Sequence, residues 1–106
     1  MKIIYHIGKV IGSDTVVRGG ILDDDSRQMF IESDSERYVF NDIMGVDIVK
    51  VKTGTMVRII NGDDTVFLAV PRIFIDKGTG VAIINYFATK KASRLLSLAM
   101  QYQKRV

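Results

Sequence analysis

Seven short runs rich in β-branched and aromatic residues come first in this chain of 106 residues, and one long amphipathic stretch comes last. Polar residues or glycines separate the runs, which is typical of an antiparallel sheet rather than of alternating strands and helices. The order therefore predicts a mainly β (α+β) protein with one C-terminal helix. The runs are Lys2–Ile11, Thr15–Leu22, Arg27–Glu32, Glu36–Phe40, Ile43–Val51, Met56–Ile60 and Thr65–Val70.

Three local signals describe how the strands are connected. Asn61-Gly62, within Asn61-Gly62-Asp63-Asp64, predicts a tight hairpin because this pair supplies positive φ values. Gly19-Gly20 predicts a bulge or a sharp coil inside the second strand, because paired glycines do not favour a flat strand. Pro71 has no N–H group to donate, so the seventh strand is expected to end there, with Arg72–Gly80 as a connection.

The last stretch reads as an amphipathic helix, because apolar residues recur from Val81 onward at spacings of three and four. We expect this helix to cover an open side of the sheet. A second interpretation stays open, in which Thr89 caps a helix that begins at Lys90. Val81–Phe87 would then be a separate short helix or a strand. The apolar positions are Ile84, Phe87, Ala88, Ala92, Leu95, Leu96, Ala99 and Met100.

Length and composition exclude several classes of protein. A chain of 106 residues with 47% hydrophobic content fits one domain over residues 1–106. The absence of cysteine excludes disulfides, thiol nucleophiles and cysteine-based zinc sites, and it fits a reducing compartment, so we predict a cytoplasmic location. No apolar run reaches the roughly 20 residues of a membrane-spanning helix, and the first residues become polar too soon for a signal peptide.

Positive charge is concentrated at the end of the chain. Residues 1–76 carry nine Lys and Arg against twelve Asp and Glu, whereas residues 77–106 carry six and none. Such asymmetry can mark binding to nucleic acid or anionic lipid, but basic residues at a helix C-terminus also complement the helix dipole. Both interpretations stay open. The candidate anion- or partner-binding residues are Lys90, Lys91, Arg94, Lys104 and Arg105.

Three other motifs have a stronger structural explanation than a chemical one. Asp23-Asp24-Asp25 lacks the alternating spacing of a calcium loop and reads as a solvated turn. Gly78-Thr79-Gly80 lacks the spacing of a phosphate-binding loop and reads as a flexible connection. His6, the only histidine, has no nearby nucleophile arrangement. We therefore predict no catalytic, cofactor or metal site.

Several of the strand sequences together resemble the pleckstrin-homology-like superfold, especially its small bacterial members and the related GRAM domains. The resemblance covers roughly residues 15–102 and implies a bent, partly open seven-stranded barrel plugged at one end by the helix. It further implies docking of peptides, proteins or lipid headgroups, and rarely catalysis. Only Lys9 and Arg18 flank the first hairpin and the chain has no tryptophan, which favours the bacterial type. The resembling segments are Gly20-Ile21-Leu22, Gln28-Met29-Phe30-Ile31, Tyr38-Val39-Phe40-Asn41-Asp42-Ile43, Met56-Val57-Arg58-Ile59-Ile60 and Thr65-Val66-Phe67-Leu68.

These observations favour a non-catalytic interaction module. Docking of a protein or peptide partner ranks first, association with an anionic membrane surface second, and nucleic-acid binding third. An enzyme ranks last. Docking by strand addition requires an exposed sheet edge, and such an edge also favours a homo-oligomer.

Overall fold

The computed structural model describes residues 1–11, 17–34, 36–51, 54–70, 72–75, 82–85 and 89–103. Nine strands and one helix lie in these ranges. The predicted β-rich runs form the first seven strands, because their branched and aromatic side chains suit a pleated, half-buried surface. The elements are β1 Lys2–Ile7, β2 Arg18–Asp24, β3 Met29–Glu32, β4 Arg37–Phe40, β5 Ile43–Val51, β6 Gly54–Asn61, β7 Asp64–Ala69, β8 Arg72–Ile75, β9 Ala82–Asn85 and α1 Thr89–Gln101.

The first seven strands form one antiparallel sheet in the order β4-β3-β2-β1-β7-β6-β5. Two meanders, β1 to β4 and β5 to β7, are joined where β1 pairs with β7, with His6 opposite Phe67. The predicted mainly β class with a C-terminal helix is confirmed. The expected closure into a barrel is not present, because β4 and β5 form the two edges of the sheet and are not hydrogen-bonded to each other.

The stretch between the sheet and the helix differs from the expected connection. Arg72–Ile75 is strand β8, and it pairs with Ala82–Asn85 in a separate two-stranded sheet. The prediction for Arg72–Gly80 was therefore wrong over its first four residues, where Ile73-Phe74-Ile75 has the β-branched and aromatic character of a strand. Ala82–Asn85 is a strand, so the second interpretation, a separate element before the helix, is correct over these residues. Thr89 is the first residue of α1 and not a cap before Lys90, and residues 76–81 and 86–88 lie outside the described residues.

Period-two alternation divides the central strands between two apolar clusters. The larger cluster lies on the face that receives α1, which packs against β5 and β6 through Leu95 and Ala99. The smaller cluster lies on the opposite face and contains Ile4, Met56, Phe67 and Ala69. The helix therefore covers one side of the sheet, as the sequence predicts. The larger cluster includes Ile3, Tyr5, Leu22, Met29, Ile31, Phe40, Ile43, Val57, Ile59, Val66, Leu68 and Val70.

Gly19 and Gly20 do not form the expected bulge, since β2 pairs with β1 without interruption through both residues. Close packing explains one of the two glycines: a Cβ atom on Gly20 would lie 2.9 Å from Cγ2 of Ile31. The irregularity occurs instead in β5, where the register shifts between Ile43 and Gly45. Met44 is thus the extra residue of a β-bulge.

The predicted hairpin at Asn61-Gly62 is confirmed. Its loop is Gly62-Asp63, because Asn61 pairs with Asp64 as the last residue of β6. Gly62 has a φ of +58°, the left-handed conformation that glycine adopts without steric cost. Since Asn61 belongs to the strand and not to the loop, its side chain is held in a fixed direction by the ladder.

Candidate functional site

Strand β5 is the longer of the two edges of the main sheet. It has nine residues, whereas β4 at the other edge has four. Among the described residues no strand pairs with the outer side of β5. An edge strand presents unpaired backbone N–H and C=O groups, so β5 can accept a further strand.

The first end of this edge is closed by the C-terminus of the helix. Gln103, just beyond α1, donates a 3.3 Å hydrogen bond from its Nε2 to the backbone carbonyl of Met44. That carbonyl belongs to the bulged residue, which the β5–β6 ladder leaves unpaired. The bulge and the Gln103 side chain together limit pairing at this end, and they leave residues 45–51 as the open part of the edge.

Large apolar side chains are exposed on β5 and on the helix beside it. Met44, Ile48 and Met100 are each exposed, and 45% of Ile48 is accessible. Met100 belongs to α1, which packs against β5, and it lies three residues before Gln103, whose side chain reaches Met44. These three side chains, which we call the β5 apolar flank, could contact alternate residues of an added strand.

A shallow recess of about 340 Å³ lies on the other face of the sheet, beside the first half of β5. Arg58 donates from Nε to Oδ1 of Asp47 at 2.8 Å, and its Nη2 contacts Oδ2, so the two side chains form a forked ion pair. This pairing raises the pKa of Arg58 above its ordinary value. The ion pair lies between β5 and β6 and does not occupy the outer edge. The recess is lined by Lys9, Gly45, Val46, Asp47, Arg58, Ile60 and Thr65.

The structure brings some of the predicted basic residues together in α1. Lys90, Lys91 and Arg94 occupy its first six residues. Arg94 is exposed, whereas the side chains of Lys90 and Lys91 lie outside the described residues. Lys104 and Arg105 also lie outside them. The dipole explanation concerns a helix C-terminus and does not apply to Lys90 and Lys91, because they lie in the first turn, at the positive end of the helix dipole.

A polar network around the buried side chain of Asn61 spans the open side of the sheet. Asn61 is only 6% exposed, and its Nδ2 donates to the hydroxyl of Tyr38 at 3.0 Å and to the carbonyl of Val39 at 3.3 Å. Its Oδ1 accepts from the N–H of Asp42 at 2.8 Å. The Tyr38 hydroxyl in turn donates to Oδ2 of Asp64 at 2.8 Å. Side chains thus tie β4 to β6 and β7 where no ladder joins them.

The same network changes the acidity of Tyr38. Burial disfavours its charged form and is the largest influence, and the Asp64 carboxylate adds to it, so the pKa of Tyr38 rises to about 12. The hydrogen bond from Asn61 acts in the opposite direction but is outweighed. Tyr38 therefore stays a neutral donor at physiological pH, which suits a structural role.

A recess of about 370 Å³ lies near the start of β2 and is lined by Tyr5, His6, Ile7, Arg18 and Glu36. The Tyr5 hydroxyl lies 2.9 Å from Oε1 of Glu36, and Arg18 approaches the same oxygen at 3.5 Å. The carboxylate is therefore already engaged by two partners. His6 stacks on the ring of Phe67, with centroids 6.4 Å apart, so the only histidine of the chain packs against an aromatic side chain.

The acidic run was predicted to be a turn, but Asp23 and Asp24 are the last residues of β2 and pair with Phe30 and Met29, so the turn begins only at Asp25. Oδ1 of Asp25 accepts backbone N–H groups from Arg27 at 3.1 Å and from Gln28 at 3.0 Å. These hydrogen bonds lower the pKa of Asp25 below its ordinary value. Asp24 accepts from the hydroxyl of Tyr102, which fastens the end of the helix to β2. Over the described ranges, no group of three or more His, Cys, Asp or Glu side chains could hold a metal ion.

Comparisons with protein-family models, with curated proteins and with solved structures gave no match to this chain. The resemblance to pleckstrin-homology-like domains therefore stays a prediction. In the part of the chain that the structure describes, no helix is long and apolar enough to cross a membrane.

Sequence reasoning missed the feature that most distinguishes β5. Gly45 inside a strand pattern is a recognised sign of a bulge, yet the paired glycines of β2 drew that prediction instead. The bond from Gln103 to Met44 could not be found from sequence, since it joins residues 59 positions apart. Asn61 was interpreted only as a turn residue, and its side-chain role depends on tertiary contacts.

Proposed function

We propose that this domain is a non-catalytic docking module, in which the free edge of β5 binds an extended segment of a partner protein by strand addition. The length and position of β5 carry this proposal, because nine residues at a sheet edge offer a row of backbone hydrogen-bonding groups. The other edge, β4, is short and includes the charged Arg37, two devices that protect an edge from pairing.

The β5 apolar flank supports the same function. Main-chain hydrogen bonds give affinity in strand addition, and side-chain contacts at alternate positions give specificity. Ile48 lies near the centre of the open part of β5, Met44 lies at its first end, and Met100 is exposed on the helix that packs against β5. We infer that the bound segment has apolar side chains at alternate positions on this side.

Charge gives a further property of the partner. Lys50 is exposed near the last end of β5, and Arg94 is exposed on α1. No ion pair of either side chain is found among the described residues. We infer that acidic residues flank the apolar positions of the partner segment, because opposite charges at a rim speed association and fix the register. We also propose that the domain is pleckstrin-homology-like and that the protein is cytoplasmic.

A random peptide display library selected on the wild-type protein tests strand addition directly. Selected peptides should alternate apolar residues, and Ile48→Lys should weaken their binding about tenfold or more, because it places a charge in the apolar contact. Ile21→Lys is the matched control, since Ile21 is 51% exposed but lies on the internal strand β2. Binding of the selected peptides should survive that change.

N-methylation of the peptide backbone distinguishes binding as an added strand from binding in another conformation. Methyl groups on alternate peptide nitrogens remove backbone donors, so one of the two alternating patterns should abolish binding and the other should not. Equal tolerance of both patterns would contradict strand addition, as would equal losses from Ile48→Lys and Ile21→Lys. Peptides that perturb the NMR signals of β4 but not of β5 would contradict the assignment to this edge.

A second candidate function is association with polyanions through α1. The specific observation is that Lys90, Lys91 and Arg94 cluster in the first half of the helix, where the dipole does not favour them. Binding to vesicles rich in phosphatidylserine should then fall steeply with added salt, and the double change Lys90→Ala and Lys91→Ala should weaken it. No binding at low salt would exclude this candidate without affecting the β5 proposal.

A further inference from the structure

Asn61-Gly62 is the one asparagine–glycine pair in the chain, which also contains Asn41 and Asn85. An asparagine before glycine is chemically reactive, because the nitrogen of the next residue can attack the side-chain amide carbon. Glycine has no Cβ atom to hinder this approach. The hairpin turn therefore contains the most reactive asparagine sequence in the protein.

The fold engages both groups that would have to react. The attacking atom would be the backbone nitrogen of Gly62, and its N–H donates to the carbonyl of Asp42 at 2.9 Å. The Asn61 amide is buried and makes hydrogen bonds to Tyr38, Val39 and Asp42. Attack requires the Asn61 amide carbon to turn toward the Gly62 nitrogen, so these bonds must first break.

We propose that Asn61 is a latent deamidation site. The network around Tyr38 prevents the reaction in the folded protein, and the reaction becomes possible when β4 separates from β6. In the open state, the Gly62 nitrogen forms a bond to Cγ of Asn61. The bond from Cγ to Nδ2 breaks, and ammonia leaves with the proton lost from Gly62. Water then hydrolyses either carbonyl of the cyclic imide, which gives aspartate or isoaspartate at position 61.

The product cannot restore the network. Nδ2 donates to the Tyr38 hydroxyl and to the Val39 carbonyl, and a carboxylate has no proton for either acceptor. The new charge would also be buried close to the Asp64 carboxylate, which is bonded to the same hydroxyl. Deamidation therefore makes the separation of β4 from β6 permanent.

Mass spectrometry of tryptic peptides measures the reaction, with the wild-type protein incubated at mildly alkaline pH in buffer and in unfolding urea. Deamidation at Asn61 should be about a hundredfold slower in the folded protein, since local opening limits it. Asn41 is exposed and serves as an internal reference that folding should protect much less. Equal rates at Asn61 in the two conditions would overturn the proposal.

Two variants test whether the network is responsible. Tyr38→Phe removes one acceptor of the Asn61 amide and should accelerate folded-state deamidation about tenfold, the effect of about 1.4 kcal/mol on opening. Tyr102→Phe is the matched control, because it also removes a tyrosine–aspartate hydrogen bond, but one at the end of α1. Equal rates in the two variants would overturn the role of Tyr38.

Wild-type protein in urea below the unfolding transition gives a test that does not depend on a stable variant. The deamidation rate and the hydrogen-exchange rate of the Gly62 amide should rise together, because the same opening event exposes both. Deamidation that stays constant while the amide exchanges faster would contradict the mechanism.

Discussion

The side-chain amide of Asn61, on β6, donates a 3.0 Å hydrogen bond to the hydroxyl of Tyr38, on the edge strand β4. These two strands are five places apart in the order of the sheet, so the bond reaches across its open side. The sheet is therefore bent enough for side chains to join what the backbone ladder does not. The contact between β4 and β6 through Tyr38 and Asn61, which we call the seam, therefore depends on a few polar atoms.

Removal of the Tyr38 hydroxyl should test how much the seam contributes. Tyr38→Phe leaves a buried donor of Asn61 with one remaining acceptor at 3.3 Å, and we expect it to lower the free energy of unfolding by about 1–3 kcal/mol. Urea denaturation measures this change. Tyr102→Phe, which affects an exposed hydrogen bond, should cost less than about 1 kcal/mol. A smaller loss for Tyr38→Phe than for the control would refute the importance of the seam.

Alkaline pH should weaken the same contact. The fold raises the pKa of Tyr38 from 10.0 to about 12, so the unfolded chain releases this proton at lower pH than the folded chain. The contribution of Tyr38 to stability is thus fully present below pH 10.0 and is lost as pH rises toward about 12. Unfolding midpoints of fresh samples should fall more steeply in this window for the wild-type protein than for Tyr38→Phe. Parallel curves would contradict the assignment.

The two adjacent glycines of β2 should respond in opposite ways to alanine. A Cβ atom on Gly20 would lie 2.9 Å from Ile31 and 3.0 Å from the carbonyl oxygen of Glu32, so Gly20→Ala should cost about 1–3 kcal/mol through overpacking. A Cβ atom on Gly19 meets nothing within 4 Å, and Gly19→Ala should be neutral or stabilise by up to about 1 kcal/mol. Differential scanning calorimetry of both variants would compare them. Similar melting temperatures would show that the close approach at Gly20 is absent.

The helix should depend on one side of its surface for attachment. Leu95 is 1% exposed and packs in the larger cluster, so Leu95→Ala should lower the free energy of unfolding by about 2–5 kcal/mol. Met100→Ala, at a position 56% exposed, should change it by less than about 1 kcal/mol. Guanidinium denaturation followed by circular dichroism measures both. Comparable losses would mean that α1 is attached in another way.

Local sequence signals predicted most of the main sheet because they depend on neighbouring residues. The seven runs gave seven strands, and Asn61-Gly62 gave the hairpin. Strand β8 was missed because Pro71, which lies outside the described residues, was expected to end all strand pairing, whereas Arg72–Ile75 pairs with Ala82–Asn85. The bulge predicted at Gly19-Gly20 was wrong for a different reason. Gly20 permits close packing against Ile31 and does not bend the backbone.

The candidate site was less predictable than the fold. The positive charge of the last 30 residues directed attention to Lys90, Lys91 and Arg94, while the edge of β5 has no sequence signature. An edge is defined by which strand lacks a neighbour, and strand order is set by contacts between distant residues. The resemblance implies a partly open barrel, which also leaves edges, but it does not indicate which strand forms the free one.

The bulge at Met44 has a consequence for the size of any segment that β5 receives. Pairing can run from Gly45 to Val51, a span of about 23 Å at roughly 3.3 Å per residue. Gln103 stands at the first end of this span. The bulge thus sets the length of partner strand that can pair fully with β5. A longer segment must leave the sheet plane at Met44, and a shorter one leaves backbone groups of β5 in water.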